Sequence, residues 1–318
     1  MKNKNEIPAK PFIKWAGGKG QLLDKFLSFY PDELKLGRIN HYYEPFIGGG
    51  AVFFDVVQKF NINKAFLYDI NEELVLTYKV IQKDVSKLIG TLDSIQKEYF
   101  KLNETEKTEY FYTTRLIFNE NRLSTNYLKY SENWILRAAQ IIFLNKTCFN
   151  GLFRFNAKGE FNVPAGKYKN PKILDEQNLL KVSEILKIAT IKKADFMAVE
   201  KDIVENSFVY FDPPYRPLNA TSSFTAYSKH KFEDEEQTKL AQLYSWLDKK
   251  GIKLMLSNSD PRNSNPNDDF FDKIYKDFNI KRIPATRMIN SKASKRNAIN
   301  EIVVTNYISK TCHTQTKL

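Results

Sequence analysis

Short apolar runs of strand length recur along the chain, at 42–47, 65–68, 208–211, 252–257 and 301–307. Two of them stop on a carboxylate: Ala65-Phe66-Leu67-Tyr68 ends at Asp69, and Phe208-Val209-Tyr210-Phe211 ends at Asp212. Between them lie segments with apolar residues at helical spacing, 51–60 and 233–249. Strands alternating with helices predict an α/β domain with a largely parallel sheet. The middle of the chain reads differently. From about Glu72 to Ile142 the spacing is helical and the composition rich in Lys, Glu, Tyr and Asn. From 145 to 172 it is irregular, with Gly151, Gly159, Pro164, Gly166 and Pro171 as breakers. The pattern therefore predicts a second domain, 72–187, inserted between 1–71 and 188–318.

Composition narrows the class. The chain has 318 residues, 42% hydrophobic and 14% aromatic, with charges interspersed. That is globular, not disordered. No apolar run reaches the roughly 18 residues of a membrane span. The segment Met1 to Lys10 is polar and lacks the apolar stretch of a signal peptide. A cytoplasmic protein with no membrane partner is expected. Cys148 and Cys312 show no metal-ligand spacing, so both are read as free thiols and no metal is expected. The net charge of +12 favours a polyanionic partner. The charge is also clustered. Asn145–Lys172 carries six basic residues against Glu160, and Lys281–Asn297 carries six with no acid, enough to line one groove.

The glycine turn Gly48-Gly49-Gly50 follows a strand, where ligands of open α/β sheets bind. Glycines there permit positive φ and close backbone approach. Asp69, 21 residues past Gly48, ends the next strand, where an acid can bond ribose hydroxyls. Together these imply an adenosine-containing cofactor. Phe53 stands where the third glycine of a dinucleotide fingerprint would fall, which disfavours a dehydrogenase.

Asp212-Pro213-Pro214-Tyr215 is the candidate catalytic motif. Its prolines fix φ and remove two N–H donors, so the chain leaves the strand in a rigid turn. The amine on a nucleobase is a poor nucleophile because its lone pair is delocalised into the ring. An Asp212 carboxylate and a Pro213 carbonyl can accept its two hydrogens, and Tyr215 can stack on the base. In-line transfer from an electrophilic donor then depends mainly on positioning. A cytosine-C5 enzyme would need a nucleophilic cysteine, and neither cysteine is suitably placed. The three histidines, His41, His230 and His313, form no constellation.

These residues resemble the DNA adenine methyltransferase (Dam) family, the α-class amino methyltransferases, through nearly the whole chain. The resemblance is carried by Phe12-Ile13-Lys14-Trp15-Ala16-Gly17-Gly18-Lys19, Glu44-Pro45-Phe46-Ile47-Gly48-Gly49-Gly50, Asp69-Ile70-Asn71, Asp195-Phe196, Asp212 to Tyr215, Phe224-Thr225-Ala226-Tyr227 and Ser257-Asn258-Ser259-Asp260. It implies a Rossmann-like S-adenosylmethionine-dependent domain with an inserted, mostly helical target-recognition domain carrying a β-hairpin. It implies that Trp15, Ala16, Gly17, Lys19, Glu44, Pro45, Phe46, Gly48, Gly50, Asp69, Ile70, Asp195, Phe196 and Asp212 surround S-adenosyl-L-methionine. Lys14 and Lys19 would face DNA or the cofactor carboxylate, the bland alternative being a solvated surface.

Phe149-Asn150-Gly151-Leu152-Phe153-Arg154 and Gly159 to Pro164 resemble the recognition hairpin of enzymes that methylate GATC. Arg154 would read a guanine bidentately. Leu152 and Pro164 would meet thymine methyls, with Lys14 and Tyr168 also on the DNA. Asn150 and Phe149 would fill the gap left by the extracted adenine. Family members often have Tyr at the Phe149 position, so a hydroxyl is missing here. The bland reading is a hairpin whose aromatics, Phe153 and Phe155 above all, are core. Lys281, Arg282, Arg287, Lys292, Lys295 and Arg296 are expected to include phosphate contacts. The tail Lys310–Leu318 is read as disordered.

The reading is thus N6-adenine methylation of double-stranded DNA in a bacterial cytoplasm, at the nucleoid. The protein would be a monomer or dimer, stand-alone or beside a cognate restriction endonuclease. The rivals are a methyltransferase for cytosine N4, RNA adenine or a protein glutamine, and a DNA-binding protein without catalysis.

Overall fold

The computed structural model describes residues 7–216, 232–285 and 299–309. The expected parallel strands are present: β1 His41–Glu44, β2 Lys64–Asp69, β4 Ser207–Phe211 and β5 Lys253–Ser259, with β7 Ile299–Thr305 antiparallel beside β5. Two strands escaped the sequence pattern, β3 Ala189–Lys193 and β6 Asn279–Ala285. They complete a seven-stranded sheet in the order β3-β2-β1-β4-β5-β7-β6. Only β7 runs against its neighbours.

Alternation along the strands sorts side chains into two layers. Tyr42, Ala65, Leu67, Phe208, Tyr210 and Met255 point into one core. Tyr43, Phe66, Tyr68, Val209, Phe211, Leu254 and Leu256 point into the other. The first is covered by α1 Leu23–Phe26, α2 Asp32–Lys35, α3 Ala51–Lys59 and α4 Glu72–Lys101. The second is covered by α8 Val199–Asp202, α9 Asp234–Lys249 and α10 Phe270–Ile274. Helices on both faces of a mostly parallel sheet make a doubly wound α/β fold.

Helix α4 begins at Glu72, capped by Asn71, whose side chain accepts from the N–H groups of Glu73 and Leu74. Its first turns bury Leu74, Val75, Tyr78 and Ile81 in the same core as Phe53 and Ala65. Asp84 then breaks helical geometry (φ −134°, ψ 42°), and the rest of α4 runs out to meet α5 Glu104–Glu120 and α6 Asn133–Thr147. Glu73 in the first turn of α4 forms a buried pair with Arg137 of α6, and the Tyr127 hydroxyl donates to the same carboxylate. This satisfied ionic cluster ties α4 to α6. Helix α7 Glu176–Leu186 returns the chain to β3.

The segment 145–172 is less regular than the expected hairpin. It contains two isolated antiparallel bridges, Cys148 to Ala165 and Phe155 to Phe161, with no continuous ladder between them. A turn at Phe149–Gly151, with Asn150 at φ 56° and Gly151 at φ 63°, takes the chain out of strand geometry. Phe153 and Phe161 are core, as the bland reading holds, while Phe155 is half-buried. Among the described residues no helix is long and apolar enough to cross a membrane. Cys148 is a free thiol, and burial pushes its pKa up to about 12. Cys312, His230, His313, Phe224 to Tyr227, Arg287, Lys292, Lys295, Arg296 and the tail from Lys310 lie outside the described residues.

Candidate active site

Strand order reverses at β1. The chain builds β2 and β3 on one side and then returns to place β4 on the other. Ligands of open α/β sheets bind at this switch point, beyond the carboxyl ends of the strands. The glycine turn leaves β1 there and Asp212 leaves β4 there, so two motifs more than 160 residues apart become neighbours.

The glycine turn needs its glycines. Gly48 and Gly50 have φ of 46° and 73°. A Cβ on Gly48 would lie 2.7 Å from Trp15 Nε1, and one on Gly50 would lie 2.6 Å from the Tyr78 hydroxyl. Trp15 therefore lies against the turn, and its ring meets Phe153 at 5.2 Å. Asp69 Oδ2 accepts from the Gly48 N–H (3.2 Å) and Oδ1 from the Asn71 N–H (2.9 Å). Burial pushes its pKa up to about 6 against those two bonds. Ile70 beside it is exposed. Phe46 stacks on Phe196 at 5.6 Å, and Phe232 meets both edge-on. Asp195 is exposed and caps its own turn through the Met197 N–H. Pro45 and Glu44 are buried, Glu44 accepting from the Tyr42 hydroxyl at 2.6 Å, and burial raises the Glu44 pKa. Ala16 is half-buried and Gly17 exposed on the loop before Lys19.

At the candidate catalytic motif the reading of Lys19 as solvated surface fails. Lys19 is 2% exposed. Its Nζ lies 2.6 Å from Asp212 Oδ1, and it donates to the Gly17 carbonyl (2.8 Å) and the Tyr215 hydroxyl (3.1 Å). Burial alone would lower its pKa, but Asp212, Tyr215 and Glu301 more than offset that, and the pKa is raised. Burial in turn pushes Asp212 up to about 6, with Lys19 opposing and Glu301 adding to the rise. Ser257 also reaches Oδ1 (3.4 Å), so both contacts fall on one oxygen, and Oδ2 has no partner among the described residues. Pro213 is buried and Pro214 exposed, with the Pro214 carbonyl taken by Gln237 Nε2 at 3.2 Å. The Tyr215 hydroxyl donates to Glu301 at 2.7 Å.

Lys14 is exposed and sits over the Tyr168 ring at 5.0 Å. Its backbone is held on both sides by buried Asn145, whose Nδ2 also donates to the Gly151 carbonyl. Asn145 therefore ties the N-terminal motif to the Phe149–Gly151 turn. Phe149 is 52% exposed, and Asn150 and Pro164 are exposed beside it. Leu152 and Arg154 are half-buried, and Arg154 Nε donates to Asn162 Oδ1 at 2.9 Å. The Arg282 guanidinium pairs with Asp260 and Asp272. Lys281 remains exposed.

Glu301, Gln237, Asn145 and Phe232 were missed. Each acts on a motif distant in sequence, and only the aromatic Phe232, just ahead of α9, carried any local signal.

Residues 15–289 match the family described as D12 class N6 adenine-specific DNA methyltransferase. The chain is 52% identical over 302 residues to the Type II methyltransferase M.MjaIII of Methanocaldococcus jannaschii, covering 95% of this chain and 100% of that one. It is 42% identical over 306 residues to the Type II methyltransferase M1.LlaDCHI of Lactococcus lactis subsp. cremoris, covering 96% and 98%. It is 32% identical over 297 residues to the DNA adenine methylase of Escherichia coli (strain K12), covering 92% and 94%. With a half-buried carboxylate beside a glycine turn at the switch point of a doubly wound sheet, the chain belongs to the D12 class of N6 adenine-specific DNA methyltransferases.

Proposed function

We propose that this adenine-specific DNA methyltransferase uses S-adenosyl-L-methionine and acts on GATC in duplex DNA, on an adenine extracted from the stack. The observation that carries the reading is Asp212, held at Oδ1 by Lys19 and Ser257 with Oδ2 open, next to the Gly48–Gly50 turn.

The residues present fit the cofactor. Gly48 and Gly50, at positive φ, let the turn pack tightly against Trp15 and Tyr78, and Asp69 offers an oriented carboxylate for ribose hydroxyls. Phe46, Ile70 and Phe196 offer apolar surface for an adenine ring, with Asp195 at its edge and Trp15, Ala16 and Gly17 along the other side. When bound, S-adenosyl-L-methionine supplies a methyl group on a sulfonium, already electrophilic. The protein's own part is positioning. Asp212 Oδ2 accepts one N6 hydrogen and the Pro213 carbonyl the other, Tyr215 aligns the ring, and the departing N6 proton goes to the Asp212 carboxylate.

For the site read on DNA, the proposal rests on residues 145–172 as part of an inserted recognition domain, 72–187. Arg154 is oriented by Asn162 above buried Phe153 and Phe161, and it would read a guanine. Leu152 and Pro164 would meet thymine methyls, and Phe149 and Asn150 would replace the extracted base. The test is incubation with labelled S-adenosylmethionine and a duplex containing one GATC. Label is expected in N6-methyladenine at that site. Label in cytosine would exclude the adenine assignment, and label in adenines of other sequences would exclude the site.

A further inference from the structure

We propose that Glu301 is a positioning residue for methyl transfer, which from β7 fixes Tyr215 and Lys19 and through them the Asp212-to-Tyr215 turn. The inference rests on the reading of Asp212 and Tyr215 as the groups that hold the adenine.

Glu301 reaches the site because β7 is antiparallel. Its amino-terminal end therefore lies at the carboxyl ends of β4 and β5, with Glu301 paired to Ser259. The turn after β4 has few anchors of its own, since Pro213 and Pro214 donate no hydrogen bond. Lys19 and Ser257 hold Asp212, and Arg216 just after the turn pairs with Asp234 and Asp268; between them the turn is held by Gln237 to the Pro214 carbonyl and by the Tyr215 hydroxyl to Glu301 Oε1 at 2.7 Å. The Tyr215 hydroxyl also accepts from Lys19, so it is bonded to both charged partners, and the Lys19 Nζ stands 4.9 Å from the ring centroid.

The charge on Glu301 needs a reason as well. The residue is 7% exposed, and an uncompensated carboxylate there would be costly. A glutamine would accept from Tyr215 equally well. Among the described residues Glu301 Oε2 makes no hydrogen bond, and it stands 3.9 Å from Lys19 Nζ. It thus faces the lysine that already holds Asp212, and two carboxylates share one buried cation. The charged or titratable groups facing Asp212 are Lys19, Tyr210, Tyr215 and Glu301, with Glu44 behind them.

The test uses the full chain with labelled S-adenosylmethionine and a GATC duplex. The variants are Glu301→Ala, Glu301→Gln, Tyr215→Phe, Tyr215→Phe combined with Glu301→Ala, and Asp212→Ala. Glu301→Ala is expected to lower kcat on the order of 100-fold, since loss of alignment falls on the chemical step more than on KM. Glu301→Gln keeps the acceptor and should recover to within about tenfold of the parent. Its kcat should also keep its plateau to lower pH, because a negative charge that raises Asp212 is gone. In the Tyr215→Phe background Glu301→Ala should cost less than about fivefold, since its main partner is already removed. The inference is overturned if Glu301→Ala leaves kcat unchanged, if it costs as much without the Tyr215 hydroxyl, or if Glu301→Gln is as impaired as Glu301→Ala. Should Glu301→Ala fail to fold, Glu301→Gln decides alone: an unmoved acid limb in a folded protein overturns the inference. An active Asp212→Ala would instead show that the reading of the site itself is wrong. An inactive Asp212→Ala beside a normal Glu301→Ala would reject only the role of Glu301.

Discussion

Asp212 and Arg154 are the two charged side chains proposed to meet the DNA, and the chain holds them by different means. Asp212 leaves a central strand and is gripped by a buried lysine and a serine on the next strand. Arg154 stands in a segment with two isolated bridges and is oriented by one side-chain bond to Asn162. The first environment is desolvated and ionic, so it fixes charge and geometry together. The second is partly solvated, and beneath it lie Phe153 and Phe161 rather than charge. Transfer chemistry demands placement to a fraction of an ångström. Sequence reading can use groups on irregular backbone, provided a packed layer supports them.

The sharpest way to break this contrast is Asp212→Ala. Loss of the one carboxylate in the turn should reduce kcat by about a thousandfold or more, taking the upper range for a positioned proton acceptor with loss of alignment added. Binding of S-adenosylmethionine by calorimetry should persist, because Asp69, Phe46 and Phe196 are untouched. Arg154→Ala should behave oppositely. A bidentate base contact contributes about 1–3 kcal/mol of discrimination. The variant should therefore methylate sites altered at one guanine nearly as well as the parent site, with kcat on saturating DNA largely kept. Methylome sequencing checks this, and an unchanged site preference would make Arg154 a structural residue.

Gly151→Ala probes the hinge between the two regions. Its φ of 63° costs a side chain roughly 1–2 kcal/mol. The new Cβ would also fall 2.2 Å from Lys14 Cδ, so Lys14 must leave its place over Tyr168. The expected result is a several-fold rise in KM for DNA with kcat within about twofold, as loss of binding common to ground and transition state predicts. A fall in kcat with unchanged KM would mean that the recognition segment also shapes the catalytic turn.

What was legible in the sequence was local. The glycine turn, Asp69 and Asp212 each follow directly on a strand, so their chemistry could be read from adjacent residues. The strands that escaped, β3 and β6, are the two edges of the sheet. Edge strands carry charge and proline as protection against further pairing, and Thr190-Ile191-Lys192-Lys193 and Lys281-Arg282-Ile283-Pro284 do so at the expense of the apolar pattern. The same two basic residues in β6 drew an expectation of phosphate contacts within the basic block, and there Arg282 is paired with Asp260 and Asp272. Glu301 could not be read at all. It is 86 residues from Tyr215, and its meaning depends on β7 running backwards.

Titration offers the finest comparison, because the two regions carry groups displaced in opposite directions. Burial pushes Asp212 and Asp69 up to about 6, whereas burial and then the neighbouring Lys14 bring Lys146 of the recognition segment down to about 8. Asp212 accepts hydrogens only when ionised, so kcat should fall as pH drops through 6, to about a quarter of its plateau at pH 5.5. Stability should show the opposite sign for this group. A carboxyl whose folded pKa lies above its unfolded value contributes most below the unfolded pKa, near 4, and that contribution is lost as pH rises through 6. Lys146 loses its charge above 8, so DNA affinity should weaken there while kcat on saturating DNA holds. Rapid-quench kinetics and DNA titrations from pH 5 to 9 separate these limbs. A single limb common to kcat and DNA affinity would show that the two regions titrate as one site, and the contrast between them would fall.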